Sequence, residues 1–326
     1  MKTVILGAGT IIPDFLKAAA EIESIELYGI YGRESSQAAM EKFQAQYNIT
    51  HIFNDYERVL NDENVELIYV ALPNSLHYNF TKQALEHGKH VIVEKPFTSN
   101  YQQAEELFAI AENNGLFLFE AITNQYNPNF DKTKELVRNI GDIKIVQLNY
   151  SQYSRRYDSF KQGEILPVFD PKKSGGALMD LNVYNIHFVT GLLGMPKDIH
   201  YYANIERGID TSGIFVMEYE KFQCVCIGAK DCKAPLSINV QGDKGYIHSD
   251  EPANVYGSFS FCDNSGNGTE YCTDDERPRM YYELKRFTDY ANSKDYESFA
   301  IAGQHTLDVM QILDTARRQA KIDFGG

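Results

Sequence analysis

The chain has 326 residues, more than one typical hydrophobic core holds, so two domains are expected. Hydrophobic residues make up 43% and aromatic residues 13% of the chain, which argues against an intrinsically disordered protein and predicts well-packed interiors. The 31 Lys and Arg residues against 45 Asp and Glu residues give a formal net charge of −14, which argues against nucleic acid or an anionic membrane as the main partner.

The first part of the chain alternates strand-like and helix-like segments. Residues 67–72 are a fully apolar run, as expected for a strand that is buried on both faces of a sheet. Asn100 with Gln103 three residues later has the pattern of a helix capping box. Strands are predicted at 2–6, 25–31, 52–53, 67–72, 91–93 and 116–119, with helices at 11–22, 36–47, 75–88 and after residue 100. This alternation predicts an α/β doubly wound parallel sheet in a domain of residues 1–121.

The pattern changes after about residue 121. Strand-like runs, joined by turn residues, then dominate the sequence. They lie at 143–153, 199–205, 213–219, 222–229, 236–241 and 258–262, with helices predicted near 176–192, 280–292 and 304–320. We therefore predict an α+β domain of residues 122–326, built around one large, mostly antiparallel sheet.

The five cysteines are interpreted as buried thiols. Cys224 and Cys226 lie two apart in a strand-like run, on one face, and Cys262 and Cys272 flank a hairpin-like turn. An odd number of cysteines without C-x-x-C spacing does not favour zinc, so no metal site is predicted. No run approaches the ~20 apolar residues of a membrane span, and the first residues read as a strand rather than a signal peptide, so a cytoplasmic protein is expected.

A glycine-rich turn follows the first predicted strand and has the pattern G-x-G-x-x-I. Gly7 permits a tight turn, and Gly9 lets the backbone approach a pyrophosphate at the start of the following helix. Thr10 and Ile11 complete the predicted phosphate-facing turn. The third glycine of the dinucleotide-binding pattern is missing, and Ile12 must pack in its place. The alternative is an ordinary strand-to-helix turn.

The end of the second strand bears on the choice of cofactor. An acidic residue there would hydrogen-bond the adenosine ribose and favour NAD, but the chain has Gly32 followed by Arg33. Arg33 can pair with a 2′-phosphate or stack on adenine, while Ser35 and Ser36 either add hydrogen bonds or cap the next helix. NADP is therefore the preferred cofactor, and NAD is the alternative.

A lysine stands at the carboxyl end of the fifth predicted strand, in the sequence Glu94-Lys95-Pro96. Burying a lysine there is costly without a partner or a role, and ligands of parallel α/β sheets bind beyond the carboxyl ends of the strands. We therefore predict that Lys95 faces cofactor and substrate, the alternative being a surface lysine with a buried stem.

The neighbouring strand ends in Leu72, Pro73 and Asn74, where the nicotinamide half of a dinucleotide would lie. His77 falls on the first turn of the next helix. A capping or core role for this histidine competes with a role in binding cofactor.

A second cluster lies between Gly175 and His187. Asp180, Tyr184 and His187 stand at positions i, i+4 and i+7, so a helix presents them on one face. A tyrosine near a lysine ammonium has a lowered pKa, which makes Tyr184 a candidate proton donor. The alternative for Tyr184 is an ordinary residue of an amphipathic core.

These motifs together resemble the Gfo/Idh/MocA family, which groups glucose-fructose oxidoreductase, inositol dehydrogenase and rhizopine-catabolism proteins. The resemblance extends over nearly the whole chain and is carried by four runs, namely the glycine turn, 73–77, 88–96 and 175–184. It implies a Rossmann domain followed by an open-faced antiparallel sheet, whose exposed face commonly forms a dimer interface. It also implies NAD(P)-linked oxidation or reduction at a secondary alcohol or carbonyl, usually of a sugar, polyol or cyclic diol.

The resemblance also implies roles for individual residues. Lys95 would hydrogen-bond the reacting oxygen, Tyr184 would donate or accept the proton, and Asp180 would orient the substrate. Three further assignments follow, with Glu94 near the nicotinamide ribose, Asn124 lining the substrate pocket, and His187 contacting substrate or replacing the tyrosine as acid. Arg155 and Arg156 are candidates for contacting an anionic substrate, although a solvated loop is the favoured interpretation.

Tyr184 makes the chain more similar to one subgroup of the family than to the others. Many members have histidine at the position of Tyr184, whereas the dimeric dihydrodiol dehydrogenases and glucose-fructose oxidoreductase have tyrosine and are often NADP-linked, in agreement with Arg33. Asn182 replaces the usual glycine two residues before the tyrosine, and asparagine tolerates a left-handed backbone that this turn would need.

Two hypotheses compete with the leading one, that the chain is an enzyme. In the first, the chain is a non-catalytic nucleotide sensor, since the family contains a transcriptional co-repressor. In the second, it is a structural protein that has lost its cofactor. Intact Lys95, Asp180 and Tyr184 favour the enzyme, and the glycine turn argues against cofactor loss. A homodimer or higher homo-oligomer through the C-terminal sheet is expected.

Overall fold

The computed structural model describes residues 1–273 and 276–324. It contains two compact units, of which the first combines residues 1–121 with 276–307. The second contains the described residues of 122–275 and 308–326. Segment 276–307 thus groups with the N-terminal sheet although it follows the large sheet in sequence. The division of the chain into domains of residues 1–121 and 122–326 stays a prediction.

The first unit contains a six-stranded parallel sheet, which confirms the predicted doubly wound architecture. Its strand order is β3-β2-β1-β4-β5-β6. The strands are β1 (Lys2–Leu6), β2 (Glu26–Tyr31), β3 (His51–Phe53), β4 (Leu67–Val70), β5 (His90–Glu94) and β6 (Leu118–Ala121). The order reverses between β1 and β4, which is where ligands of such sheets bind.

Helices connect the parallel strands of the first unit. They are α1 (Ile12–Ala19), α2 (Gln37–Tyr47), α3 (Tyr56–Leu60), α4 (His77–Glu86) and α5 (Tyr101–Asn113). The core between sheet and helices includes a buried aromatic pair, in which Phe15 of α1 stacks on Tyr69 of β4 with ring centroids 3.9 Å apart. The predicted capping box forms in part. Asn100 accepts from the Gln103 amide, while the Gln103 side chain accepts from the Ser99 amide.

The second unit contains an eight-stranded sheet of order β14-β13-β12-β11-β7-β10-β9-β8. All neighbouring pairs are antiparallel except β7 with β10, which confirms a mostly antiparallel sheet. The strands are β7 (Ile143–Ser151), β8 (Asp198–Glu206), β9 (Ile209–Glu218), β10 (Gln223–Ala229), β11 (Ser237–Gly242), β12 (Gly245–Ser249), β13 (Ser258–Asp263) and β14 (Gly268–Cys272). The helices that complete the described chain are α6 (Pro128–Leu136), α7 (Arg155–Lys161), α8 (Val183–Leu193), α9 (Tyr281–Ser293) and α10 (Tyr296–Gln319).

The two faces of the large sheet differ sharply. On the inner face, Phe215 and Cys226 are fully buried, and α8 packs against β7 and β10. On the other face, which we call the open face, Ile145, Tyr202 and Ile214 are 51%, 65% and 47% exposed. Because strand residues alternate between faces, the pairing of β7 with β10, of β10 with β9 and of β9 with β8 places these three side chains on the same face of the sheet.

Several elements differ from those predicted. The helix expected over 176–192 is divided into a π-helical turn, Leu178–Asn182, followed by α8. The last helix begins at Tyr296 rather than near 304, although Gly303 lies inside it. A Cβ at Gly303 would lie 2.9 Å from the Phe108 ring, so this glycine serves packing and does not mark a helix boundary. The elements α3, α6, α7, β12 and β14 were not predicted, being short or strongly polar.

All five cysteines are free thiols. Cys224 and Cys226 are buried with their sulfur atoms 3.9 Å apart, which confirms that they share a face. The prediction of buried thiols was wrong for Cys232 and Cys272, which are exposed because they lie in a loop and in the edge strand β14. Among the described residues, every helix is too short or too polar to cross a membrane.

Candidate functional site

The glycine turn after β1 has the geometry that its sequence predicts. Gly7 has φ +118, and a Cβ there would lie 2.6 Å from the carbonyl oxygen of Ala71 at the end of β4. Only glycine permits both this backbone conformation and this approach of two strands. Ile12 is completely buried and so packs where the motif usually has its third glycine.

The second glycine of the turn faces open space. A Cβ at Gly9 would meet no atom of the described residues within 4 Å, and Thr10 beside it is exposed. The backbone at the start of α1 is therefore accessible to a bound group. Backbone amides at a helix start attract phosphate, so the turn fits the pyrophosphate of a dinucleotide.

An arginine, Arg33, lies just beyond the end of β2. Gly32 is packed tightly, since a Cβ there would lie 2.9 Å from the Met40 sulfur. The Arg33 side chain is exposed and forms no hydrogen bond or ion pair with any residue in the described part of the chain. Ser36 makes no side-chain cap to α2. The Arg33 guanidinium is thus available to a phosphate group.

His77 joins the ends of two neighbouring strands. Its Nδ1 lies 3.0 Å from the carbonyl oxygen of Pro96, and its Nε2 lies 2.8 Å from that of Leu72. The ring is 1% exposed; burial lowers the pKa of His77, while the two carbonyl groups act in the opposite direction. These contacts support the alternative of a core role, in which His77 fixes the backbone beside half-buried Lys95.

Glu94, the last residue of β5, is held by a tyrosine. The hydroxyl of Tyr69 donates a 2.5 Å hydrogen bond to its Oε1. Burial raises the pKa of Glu94, and this hydrogen bond together with the charges of Lys95 and Arg279 acts in the opposite direction. The peptide bond from Lys95 to Pro96 is cis. The backbone that presents Lys95 is therefore fixed on both sides, by Glu94 and by the carbonyl of Pro96.

Gly176, at the start of the second cluster, leaves room for a carboxylate. Gly176 has φ +102, and a Cβ there would overlap the Asp210 carboxylate. Asp210 accepts 2.6 Å hydrogen bonds from the Leu178 amide and from the Tyr201 hydroxyl. Burial raises the pKa of Asp210 to about 6, with these hydrogen bonds acting against the rise. A side chain from β9 thus supports the start of the helix.

Asp180 lies in the π-helical turn and forms an ion pair with Lys230. The Lys230 side chain is 4% exposed, against 33% for Asp180, and its ammonium lies 5.3 Å from the centroid of the Phe169 ring. A buried ammonium requires a counter-charge, and Asp180 supplies it. Lys230 therefore fixes the position of the Asp180 carboxylate.

Tyr184 lies in the first turn of α8 and is 7% exposed. Its backbone carbonyl accepts a 2.9 Å hydrogen bond from the Asn124 amide, and Gln125 donates in the same way to the carbonyl of His187. Asn124 thus contacts the backbone of the helix that carries Tyr184. His187 has no exposed surface at all.

The expectation that Asn182 adopts a left-handed backbone was wrong. Asn182 has φ −70 and ψ −21, which are right-handed helical angles. Its side-chain amide donates to the Cys226 carbonyl of β10 at 3.3 Å. Gly228 of the same strand accommodates it, since a Cβ at Gly228 would lie 2.9 Å from the Asn182 Cβ. The asparagine is tolerated because β10 leaves space for it.

Lys230 and Asp210 were missed at the sequence level. A signal for Lys230 was present, because it follows the apolar run of β10 in the way that Lys95 follows β5. Asp210 had no comparable signal, since its contacts with Gly176 and Leu178 join segments more than 30 residues apart. Only the fold brings these residues together.

One group of metal-ligating side chains occurs among residues 1–273 and 276–324. The ligand atoms of Asp198, His200 and Glu218 all lie within 4.8 Å of one another. All three side chains are at least 44% exposed, and the group includes none of the predicted site residues. It therefore lies outside the candidate site.

Two family models match the chain. One describes the oxidoreductase family with an NAD-binding Rossmann fold and matches residues 1–122. The other describes the GFO/IDH/MocA C-terminal domain and matches residues 130–248. The matched ranges together include more than half of the chain.

Three known proteins illustrate the similarity. The scyllo-inositol 2-dehydrogenase (NADP(+)) IolU of Bacillus subtilis (strain 168) is 32% identical over 99% of this chain and 98% of its own length. The trans-1,2-dihydrobenzene-1,2-diol dehydrogenase of Mus musculus is 28% identical over 74% of this chain and 72% of its own. A solved structure of a 3-ketoreductase from Actinomadura kijaniata, in complex with NADP and TDP-benzene, has a TM-score of 0.84 at 20% identity, covering 98% of this chain and 97% of that one. This last likeness shows a shared fold.

Proposed function

Because the chain belongs to the Gfo/Idh/MocA family of oxidoreductases, we propose that it transfers a hydride between NADP(H) and a secondary alcohol or carbonyl of a sugar, polyol or cyclic diol. The observation that carries the proposal is the turn after β1, where Gly7 permits the close strand approach and Gly9 faces open space. The names of the inositol and dihydrodiol dehydrogenases support the substrate class.

The preference for NADP rests on Arg33. Its exposed guanidinium stands directly after β2, at the place where an acidic residue would select NAD. A guanidinium pairs with phosphate through two parallel hydrogen bonds, which a ribose hydroxyl does not offer. The inositol dehydrogenase relative and the 3-ketoreductase are both named with NADP, which supports this preference.

The proposed chemistry divides between cofactor and protein. When bound, the dinucleotide supplies or accepts the hydride at its nicotinamide ring. Lys95 hydrogen-bonds the reacting oxygen, and Tyr184 donates a proton to it or accepts one from it through its hydroxyl. Asp180 orients a neighbouring substrate hydroxyl, and the ion pair with Lys230 holds that carboxylate in place.

The remaining site residues act as positioning residues in this proposal. His77 and Glu94 fix the backbone around Lys95, next to the predicted nicotinamide-binding segment of Leu72, Pro73 and Asn74. Asn124 fixes the first turn of α8 and so the direction of the Tyr184 side chain. Because His187 is fully buried, a role for it as substitute acid requires α8 to move.

Cofactor binding followed by turnover tests the proposal. Purified protein is titrated with NADPH and separately with NADH, and binding is followed by nicotinamide fluorescence. Tight NADPH binding, weak NADH binding and NADP-linked oxidation of scyllo-inositol or of a trans-dihydrodiol are expected. Binding without turnover of any sugar, polyol or diol supports a nucleotide sensor instead, and no binding of either dinucleotide supports a structural protein.

We also propose a homodimer formed through the open face. Its large apolar side chains Ile145, Tyr202 and Ile214 are exposed on one face of the sheet, which supports an interaction surface there. An Ile214→Lys variant is expected to be monomeric by light scattering, whereas the parent chain is dimeric. Ile301→Lys, at an even more exposed isoleucine of the first unit, is the control and is expected to leave the dimer intact.

Cytoplasmic location is part of the same proposal. It is supported by five free thiols in one chain, since oxidising compartments favour disulfides. Fractionation of cells that express the full chain tests it, and recovery with the membrane or in the medium contradicts it.

A further inference from the structure

We propose that the substrate carries a negatively charged group, a carboxylate or a phosphate ester, which binds a basic cavity beside Asp180. This inference rests on the proposed function and specifies the substrate class of the same site. The cavity has a volume of about 480 Å³ and lies wholly within the second unit. Its wall consists of residues 152–156 with Asp180, Leu181 and Lys230.

The charges of the wall are unbalanced. Arg155, Arg156 and Lys230 are cationic, and Asp180 is the single carboxylate among the lining residues. Lys230 is neutralised by Asp180, because their side chains form an ion pair. The two arginines therefore leave the cavity with an excess of two positive charges.

The two arginines have no acidic partner within the described chain. Neither guanidinium forms an ion pair or hydrogen bond there, and both side chains are exposed. The carboxylate of Asp158, on the same short helix, accepts instead from the Tyr153 hydroxyl at 2.7 Å and lies 3.1 Å from the Lys161 ammonium. In a chain with a net charge of −14, two adjacent unpaired arginines at a cavity are best explained by an anionic ligand.

The anion belongs to the substrate rather than to the dinucleotide. The predicted phosphate contacts of the dinucleotide, Gly9 and Arg33, are not among the described residues that line the cavity. Asp180 connects the cavity to the proposed reaction, since its carboxylate lines the cavity and is proposed to orient the substrate. Guanidinium groups bind both carboxylate and phosphate through paired hydrogen bonds, so either anion fits this wall.

Three substrates with one carbon skeleton test the inference, namely glucitol, gluconate and glucitol 6-phosphate. We expect kcat/KM with NADP to be at least roughly tenfold higher for one of the anionic compounds than for glucitol, given the strength of charge-assisted hydrogen bonds. Which anionic compound is preferred distinguishes a carboxylate from a phosphate group. Equal kcat/KM values for all three overturn the inference.

The double variant Arg155→Gln/Arg156→Gln is expected to abolish the anionic preference. The matched control is Lys134→Gln/Arg138→Gln, which removes the same charge at exposed positions outside the cavity and is expected to retain the preference. A preference that persists in the arginine variant also overturns the inference.

A binding measurement separates this inference from the proposed function. Gluconate, glucitol and inorganic phosphate are titrated calorimetrically into the protein saturated with NADPH. If no compound is turned over, tighter binding of an anion than of glucitol, lost in the arginine variant, still supports the basic cavity. Turnover of neutral polyols with no anionic preference supports the enzyme and contradicts only the cavity assignment.

Discussion

The glycine turn after β1 and the helix start, meaning the π-helical turn Leu178–Asn182 that precedes α8, both belong to the candidate site, but they are stabilised in different ways. At the turn, Gly7 and Gly9 act through backbone shape within three residues of one another. At the helix start, Asp180 is held by Lys230, and the backbone at Leu178 is held by Asp210. The first region is recognisable from neighbours in sequence, although the close approach of Gly7 to Ala71 also depends on the fold, whereas the second is built from partners that only the fold brings close. Substitutions of the two glycines should therefore act through the backbone, and substitutions in the second region should act through coupled side chains.

The largest expected effect is at Tyr184. Tyr184→Phe and Lys95→Ala are each expected to lower kcat by roughly 10²- to 10⁴-fold, because each removes a group that moves or stabilises a proton. Dinucleotide affinity, measured by fluorescence, should change little. Tyr202→Phe, on the open face, is the matched control. Normal turnover by Tyr184→Phe would remove the assigned acid and move the assignment to His187.

Alanine substitutions at the two glycines of the turn should separate an effect on stability from an effect on dinucleotide binding. Gly7→Ala is expected to destabilise the protein by about 1–3 kcal/mol from its backbone conformation alone, with a further loss from the clash with Ala71. Gly9→Ala is expected to leave the free energy of unfolding within about 0.5 kcal/mol but to weaken dinucleotide binding. Urea unfolding and fluorescence titration measure the two quantities. Unaltered dinucleotide affinity in Gly9→Ala would contradict a phosphate-binding turn.

Asp210, the buried carboxyl of β9 that accepts from the Leu178 amide, predicts that the free energy of unfolding depends on pH. The folded pKa of Asp210 is about 6, above the ~3.9 of an unfolded aspartate, so between these values the folded state holds a proton that the unfolded state has released. The stabilisation from this proton is complete below pH 4 and is lost as pH rises through 6, a change of about 2–3 kcal/mol.

Asp210→Asn isolates this contribution, since the amide oxygen of asparagine can still accept from Leu178. The stability of the parent chain relative to the variant, from urea unfolding at pH 4.5 to 7.5, should fall with rising pH. Parallel stability curves would show that Asp210 titrates normally.

The smallest expected effect is on cofactor choice. Arg33→Ala should weaken NADPH binding roughly tenfold while NADH binding changes little, because only NADPH has the 2′-phosphate that the guanidinium pairs with. Arg58→Ala, at another exposed arginine of the first unit, serves as control. Equal losses for both dinucleotides would remove the phosphate-pairing argument.

The sequence predicted most of the first region because its signals are local. The apolar runs of the parallel strands, the glycine pattern and the position of Lys95 each follow from a few adjacent residues. The second region was predicted only in part. Asp180 and Tyr184 were singled out, but the π-helical turn that carries Asp180 and the supporting contacts of Asn124 and Asp210 depend on segments distant in sequence. The left-handed backbone expected at Asn182 was wrong, and the space that Gly228 leaves for its side chain also depends on a segment distant in sequence.

The contact between Asn182 and Gly228 couples two positions for protein engineering. A Cβ at 228 would lie 2.9 Å from that of Asn182, so any larger residue at 228 requires the π-helical turn or β10 to shift. The two atoms nearest to that Cβ belong to the Asn182 side chain, and the next is the Asn182 backbone nitrogen at 3.4 Å. Replacement of Gly228 by a larger residue should therefore be tolerated only when residue 182 is made smaller at the same time.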